Sequence, residues 1–217
     1  MPTNLIVIGG GQFGREVATW AGQAISAGLP WVFGGFLDDD PRALAGFDYP
    51  PGVLAPVAGY QPRPEDLFLC AIGTPRTKKD VCERLAARGA RFGTLVHPTA
   101  LVGRHVRIGD GTIIGPLAQL SCDLVLGRLV SFGTHSNIAH DTEVGDYSQI
   151  SGSCEINGCA TLGEGVFLGS HATILPGARV GDYAYVGAGS VVLRRVQAGT
   201  KVFGVPAVPI GPAEGPA

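Results

Sequence analysis

The sequence predicts a small α/β domain followed by a three-walled parallel β-helix. Large apolar residues recur every six positions in the second half of the chain, whereas short apolar segments alternate with helical segments in the first half. The 34 glycines among 217 residues, without a collagen period, indicate many tight turns. We therefore divide the chain into an α/β domain over residues 1–95 and a β-helix with a C-terminal tail over residues 96–217.

The repeat carries the prediction of the β-helix. Large apolar residues occupy every sixth position from Val96 to Val192, seventeen in all, without an insertion. Glycine follows ten of the seventeen, and a small residue lies four positions after twelve of them. This period fits neither an α-helix nor an alternating strand, but it suits a triangular prism in which three units complete each coil. We expect the apolar residues to fill the axis and glycine to tolerate the corner backbone.

Composition and charge exclude several classes of protein. A net charge of −2 favours neither nucleic acid nor an anionic membrane surface as a partner. No apolar run approaches the ~20 residues that a membrane span needs, and the first residues lack the regions of a signal peptide. Five cysteines form no disulfide framework, so we expect a reducing, cytoplasmic location.

The first domain alternates strands and helices. Apolar segments at 5–8, 31–37 and 67–72 predict strands, and segments 15–27 and 76–88 predict helices. Such alternation indicates a small parallel sheet. The proline-rich segment 49–64 is interpreted as an irregular connection.

A glycine-rich turn lies between the first strand and the first helix. Gly9, Gly11 and Gly14 have the spacing that lets the backbone approach a phosphate, and Asp38 lies where an acid would bind a ribose. This motif alone leaves three possibilities open: an NAD-binding oxidoreductase, a mononucleotide site, and a turn that only packs strand on helix. The domain has room for about half of a dinucleotide fold, so the nucleotide of an activated sugar fits its size better.

One histidine of the repeat has a setting suited to proton transfer. His140 lies two positions after an apolar residue of the repeat and should point away from the column. An eighteen-residue coil stacks it between Cys122 and Gly158, and we expect the glycine to leave space beside the ring. Asp141 adjoins it and could orient the imidazole. Histidine readily accepts a proton near neutral pH, as acyl transfer to an amine requires.

Over nearly its whole length, the chain resembles the bacterial nucleotide-sugar N-acetyltransferases and their sialic-acid O-acetyltransferase relatives, within the hexapeptide-repeat acyltransferases. The motifs that carry this resemblance are Ile8-Gly9-Gly10-Gly11 with Arg15-Glu16-Val17, Gly35-Phe36-Leu37-Asp38-Asp39-Asp40, Ala71-Ile72-Gly73, Val96-His97-Pro98-Thr99-Ala100, Asn137-Ile138-Ala139-His140-Asp141, Gly163-Glu164-Gly165-Val166-Phe167-Leu168-Gly169 and Gly204-Val205-Pro206-Ala207.

The resemblance implies a fold and a reaction. The β-helix would be left-handed, and the protein would be a homotrimer with active sites between subunits. The reaction would use acetyl-CoA as co-substrate, without a metal, to acylate the 4-amino group of a nucleotide-linked amino deoxy sugar by direct attack. His140 would be the general base and Asp141 its acidic partner.

The resemblance also implies two sets of binding residues. Contacts to the sugar nucleotide would fall on Gly11, Gln12, Phe13, Asp38, Asp39 and Thr74. Contacts to CoA, largely through the backbone, would fall on Gln149, Gly158, Ser170 and Ala188.

Three positions depart from the pattern of that family. Phe13 stands where a histidine is frequent, Gln149 stands where a second histidine is common, and Val208 stands where a basic residue usually follows. Glutamine can donate a hydrogen bond to a thioester carbonyl but cannot carry a proton. Phe13 removes a polar contact, which leaves the identity of the sugar open.

Two further functions remain as alternatives. Sugar O-acetylation uses the same fold, and a non-catalytic scaffold or a carbonic-anhydrase-like metal site is the other possibility. His135 and His171 share a column but lie two coils apart, or ~9.6 Å, which is too far for one metal ion. Cys154 occupies a small-residue position of the repeat, so we interpret it as core filling.

Overall fold

The α/β domain is a four-stranded parallel sheet with two helices. The computed structural model describes residues 3–213. The sheet has the order β3-β2-β1-β4, and its strands are β1 (Thr3–Ile8), β2 (Trp31–Leu37), β3 (Val53–Ala55) and β4 (Asp66–Cys70). The helices are α1 (Gln12–Ser26), α2 (Pro75–Ala86) and a short 3₁₀ helix (Val57–Gly59). Strand β3 and the 3₁₀ helix lie in the proline-rich segment, which is therefore less irregular than expected.

The second domain is a parallel β-helix with three walls. Strands pair in register eighteen residues apart, as in Asn137 with Glu155, which confirms the predicted coil length. The first wall contains β5 (Leu95–Val96), β8 (Ile113–Ile114), β11 (Ser131–Phe132), β14 (Gln149–Ile150), β17 (Phe167–Leu168), β20 (Tyr185–Val186), β23 (Thr200–Phe203) and the antiparallel β24 (Val208–Pro212).

The other two walls have six strands each. The second wall contains β6 (Leu101–Val102), β9 (Gln119–Leu120), β12 (Asn137–Ile138), β15 (Glu155–Ile156), β18 (Thr173–Ile174) and β21 (Val191–Val192). The third wall contains β7 (Arg107–Ile108), β10 (Val125–Leu126), β13 (Glu143–Val144), β16 (Thr161–Leu162), β19 (Arg179–Val180) and β22 (Arg195–Val196).

The apolar residues at every sixth position form the core of the column, as predicted. From Ile114 to Val192 all of them are buried in one continuous cluster. The small residues four positions later, such as Ala118 and Ala184, are fully buried between converging walls. Val102 is 43% exposed because it lies in the first coil, where no preceding coil covers it.

The glycines that follow the apolar residues have a different role from the one expected. Positive φ angles occur two residues after these glycines, as at His105 with φ +58°, and none of the ten glycines has one. A Cβ on Gly103 would instead lie 2.1 Å from the carbonyl oxygen of Ser121, and one on Gly145 would lie 2.5 Å from the carbonyl carbon of Gly163. Glycine is therefore required at these positions because successive coils approach closely. The backbone conformation at these positions does not require it.

The α/β domain packs against the first wall. Ile113 of β8 shares a buried cluster with Val17 and Ala21 of α1. At the corner between the third and first walls, Tyr147 packs with Cys82 of α2. These contacts leave an open cleft between the two domains farther along the column. Within residues 3–213, no helix is both long enough and apolar enough to span a bilayer.

Candidate active site

The cleft between the α/β domain and the first wall has a volume of about 600 Å³. The α/β domain contributes Phe13 and Thr74 to its lining, and the column contributes Gln149 and Ser170. The cleft therefore brings together two residues predicted to contact the sugar nucleotide and two predicted to contact CoA.

Both helices of the α/β domain begin at this cleft. Helix α1 starts after Gly11 and α2 starts after Thr74. In the part of the chain that the structure describes, neither first turn has a side-chain cap or an acidic residue. Free N–H groups and the positive end of a helix dipole favour an anion such as a phosphate. Arg76 adds a cation at the start of α2, where its guanidinium lies 4.1 Å from the centre of the Tyr183 ring.

Two aromatic side chains line the column side of the cleft. Phe167 and Tyr185 occupy successive coils and stack with centroids 4.6 Å apart and planes 5° from parallel. The Lys201 ammonium lies 5.0 Å from the centroid of the Tyr185 ring. The two rings stack on each other and give the cleft an apolar wall, and the Arg76 cation and the Glu16 carboxylate line the cleft as well.

A buried lysine joins α2 to the first wall behind the cleft. Lys78 is fully buried, and its ammonium donates to Ser131 Oγ at 2.9 Å, Gln149 Oε1 at 3.1 Å and the Ser148 carbonyl at 3.4 Å. Burial lowers the pKa of Lys78 from 10.5 to about 8. Among residues 3–213, no carboxylate forms an ion pair with this ammonium.

Sequence reasoning missed Lys78, although a signal was present. Residues 78, 81, 82 and 85 recur at the spacing of one helix face, and the structure buries all four. A lysine on the apolar face of an amphipathic helix indicates a specific acceptor set in the surface that the helix packs on.

The buried lysine leads to a prediction about stability and pH. Below pH 8 the ammonium is charged in both folded and unfolded chains, so the folded state bears the full cost of burying the charge. Between pH 8 and 10.5 the unfolded chain binds more protons, so stability rises with pH. Relative to Lys78→Met, we expect the free energy of unfolding of the wild type to gain about 3 kcal/mol across this window. Denaturant unfolding at matched protein concentrations measures it.

Lys79 supplies the control for that measurement. Its ammonium lies 2.7 Å from Glu164 Oε1, and the hydrogen bond to this carboxylate raises the pKa of Lys79. Folded Lys79 stays charged throughout this window, and unfolded Lys79 loses its proton only near the upper end, so the wild type should show no such rise relative to Lys79→Met. If the difference in free energy of unfolding between the wild type and Lys78→Met does not change with pH, the assignment of a buried charge to Lys78 is contradicted.

His140 lies on the corner between the second and third walls, directly after β12. Its side chain is exposed, and its Nδ1 lies 2.7 Å from Asp141 Oδ2. Because a carboxylate only accepts hydrogen bonds, Nδ1 carries the proton and Nε2 remains free to accept one. A Cβ on Gly158 would lie 2.8 Å from His140 Cε1. The imidazole itself therefore fills the space above Gly158, which was expected to stay open.

Cys159, at this corner, and Cys154, before the second-wall strand β15, have different settings. His140, Asp141 and Cys159 are all exposed, and each has one atom able to bind a metal. These three atoms lie within 4.8 Å of one another. Cys154 is buried, and its thiol donates to the carbonyl of Gly169 at 3.2 Å. The structure thus gives Cys154 the core position that the repeat predicted.

The two predicted aspartates hold the backbone of the α/β domain. Asp38 accepts a hydrogen bond from the Gly10 amide at 2.7 Å and another from the Asp40 amide at 2.8 Å. Asp39 accepts one from the Val57 amide at 2.9 Å. Neither lines the cleft. In this structure, Asp38 closes the glycine-rich turn, and Asp39 attaches the 3₁₀ helix to β2.

The remaining predicted residues lie outside the lining of the cleft. Gly11 and Gln12 are exposed at the start of α1, and Ala188 is exposed one coil beyond Ser170. His140 lies on the column corner opposite the first wall. A single chain therefore does not bring the His140 imidazole to the cleft that the α/β domain and the first wall form.

Comparison with known proteins identifies both domains. Residues 4–85 match the PglD N-terminal domain, and residues 159–194 match the bacterial transferase hexapeptide repeats. GDP-perosamine N-acetyltransferase of Escherichia coli O157:H7 is 30% identical over 156 residues, which cover 70% of this chain and 69% of that protein. UDP-N-acetylbacillosamine N-acetyltransferase of Bacillus subtilis is 30% identical over 115 residues, or 51% of this chain and 50% of that protein.

Solved structures of similar proteins have the same architecture. The acetyltransferase domain of PglB from Neisseria gonorrhoeae, in complex with acetyl coenzyme A, superposes with a TM-score of 0.87 at 28% identity over 97% of this chain and 100% of that one. PerB from Caulobacter crescentus, in complex with CoA and GDP-perosamine, gives 0.84 at 25% identity over 96% and 97%.

The fold, the repeat and these relatives define an acyltransferase of the hexapeptide-repeat class. The chain belongs to the PglD-like nucleotide-sugar N-acetyltransferase family. The NAD-binding and scaffold alternatives are therefore not retained.

Proposed function

We propose that this protein transfers the acetyl group of acetyl-CoA to the 4-amino group of a nucleotide-linked amino deoxy sugar. His140 of one subunit is the general base for a substrate held in the cleft of a neighbouring subunit of a homotrimer. The observation that carries the proposal is the His140–Asp141 pair, with Nδ1 and Oδ2 2.7 Å apart, on an exposed corner.

The chemistry needs one base and one hydrogen-bond donor. The amine nitrogen attacks the thioester carbonyl carbon, the C–N bond forms, and the C–S bond breaks. His140 Nε2 accepts the proton that the nitrogen loses and passes it to the departing CoA thiolate. Asp141 holds Nδ1–H and stabilises the imidazolium that forms. Gln149, in the lining of the cleft, supplies a donor for the carbonyl oxygen.

The cleft suits the proposed substrates. The N-termini of α1 and α2 and the Arg76 guanidinium favour the phosphates of a nucleotide sugar. The stacked Phe167 and Tyr185 side chains supply an apolar part of the lining. The volume of about 600 Å³ accommodates a ligand of this size.

The position of His140 favours a shared site. The cleft uses the first wall, whereas His140 lies on the opposite corner of the same column. A neighbouring column that presents its own His140 corner to the cleft completes the site. Leu101 and Leu117, which are 65% and 47% exposed on the second wall and its flank, offer apolar surface for such packing.

A thiol-release assay tests the function. The protein is incubated with acetyl-CoA and a panel of UDP-, GDP- and dTDP-linked 4-amino sugars, beside matched sugars with a 4-hydroxyl. We expect release of free CoA thiol with at least one amino sugar and with none of the hydroxyl analogues. Silence on every amino sugar would contradict the proposal, and release with the hydroxyl analogues alone would indicate O-acetylation.

A further inference from the structure

We infer that Lys78 is a positioning residue for the acyl donor. It fixes the Gln149 amide so that the N–H donor of this side chain faces the cleft. The inference rests on the proposed function, because it assigns Gln149 to the carbonyl oxygen of the thioester.

The chemistry of lysine determines which end of the amide faces it. An ammonium has three donors and no acceptor, so only the amide oxygen of Gln149 can face Lys78, and the two lie 3.1 Å apart. Gln149 Nε2 must then occupy the other end of the amide. Within residues 3–213, Nε2 makes no hydrogen bond and is not fully enclosed. Since Gln149 lines the cleft, this nitrogen is directed into it.

The ammonium also strengthens the donor that it positions. The positive charge of the ammonium, in contact with the amide oxygen, polarises the amide and makes its N–H groups better hydrogen-bond donors. A donor aimed at the place where negative charge develops lowers the barrier of acyl transfer. A glutamine backed by a buried lysine thus provides an oriented, polarised donor without a titrating group of its own.

A purely structural role for Lys78 accounts less well for this arrangement than the positioning role does. Lys78 is fully buried without a carboxylate among the described residues, and burying an unpaired charge is costly. A neutral side chain would join α2 to the first wall at lower cost. Lys79, one residue along the same helix, joins α2 to the column through an ordinary ion pair with Glu164.

Steady-state kinetics of four variants in the thiol-release assay test the inference. Lys78→Met and Gln149→Ala should each lower kcat about 10- to 100-fold, with KM for the nucleotide sugar within about twofold of wild type. Lys78→Met combined with Gln149→Ala should lose no more than either single variant, because one donor is lost in each case. Lys79→Met, the matched control, should retain wild-type kcat. Wild-type kcat in Lys78→Met, or additive losses in the double variant, would overturn the inference.

Gln149→Glu keeps the test decisive if Lys78→Met fails to fold. The carboxylate preserves the contact with the Lys78 ammonium but removes the N–H donor, so we expect a stable protein with the kcat of Gln149→Ala. Wild-type kcat in Gln149→Glu would overturn the inference.

Donor binding separates failure of this inference from failure of the proposed function. Calorimetry gives the ratio of acetyl-CoA to CoA affinity without any acceptor sugar. If the wild type shows no turnover, the proposed function fails. The affinity ratio still tests whether the Gln149 amide donates a hydrogen bond to the thioester. We expect Gln149→Glu to lower the ratio, and an unchanged ratio would overturn the assignment of Gln149 to the thioester.

Discussion

His140→Ala should lower kcat about 10²- to 10⁴-fold while leaving the fold intact. The side chain is exposed on a corner of the column and contributes nothing to the buried core, so its removal should not change the melting temperature. Its loss removes the imidazole that Asp141 holds and that we propose accepts the proton. Steady-state kinetics with acetyl-CoA and the best amino sugar, beside thermal melts, measure both effects.

The column offers a matched histidine as control. His105 is exposed on the same corner, and its Nδ1 lies 2.9 Å from Asp123 Oδ1. His105→Ala removes an equivalent exposed imidazole–carboxylate pair two coils away, so it should retain wild-type kcat. Asp141→Asn should lose less than His140→Ala, because the base remains and only its orientation and charge support weaken. Wild-type turnover in His140→Ala would remove this residue from the mechanism.

Gly158→Ala should lower kcat about 10- to 100-fold, because a methyl group there displaces the imidazole that rests on the glycine. The added Cβ would lie 2.8 Å from His140 Cε1 and 2.9 Å from Nε2. The exposed ring can swing outward, so the fold survives while the base moves by about an ångström, which is enough for such a loss. Kinetics and melting temperature of the variant measure this outcome.

A double variant distinguishes displacement of the ring from any other effect of the methyl group. If Gly158→Ala acts only through His140, adding it to His140→Ala should change kcat by less than about twofold. A further large loss in the double variant would mean that Gly158 contacts the substrate directly, as its predicted role in CoA binding requires.

The repeat predicted the column because its signal is local and periodic. An apolar residue at every sixth position identifies the axis without any knowledge of long-range contacts, and the register of β12 with β15 follows from that period. The reason for the glycines was not accessible in the same way. Gly103 is needed because of the carbonyl of Ser121, and the distance between successive coils appears only in three dimensions.

The site was harder to predict because it depends on how the two domains dock. The sequence singled out Phe13, Thr74, Gln149 and Ser170 separately, and the docking of α2 on the first wall brings them to one cleft. Lys78 escaped notice because its acceptors lie 53 to 71 residues away in sequence. The distance between His140 and this cleft likewise follows only from the order of the three walls.

Activity of mixed assemblies of two variants tests most directly whether one active site of the proposed homotrimer uses two subunits. His140→Ala lacks the proposed base but keeps the cleft, whereas Ser170→Trp places an indole at the exposed edge of the cleft and keeps His140. Each variant alone should be nearly inactive. In random mixtures, half of the clefts are intact and half of the facing corners carry histidine, so roughly one quarter of wild-type activity should return. Purification through two different tags verifies that mixed trimers form. If activity stays at the level of the separate variants although mixed trimers are present, His140 does not serve the cleft of a neighbouring subunit.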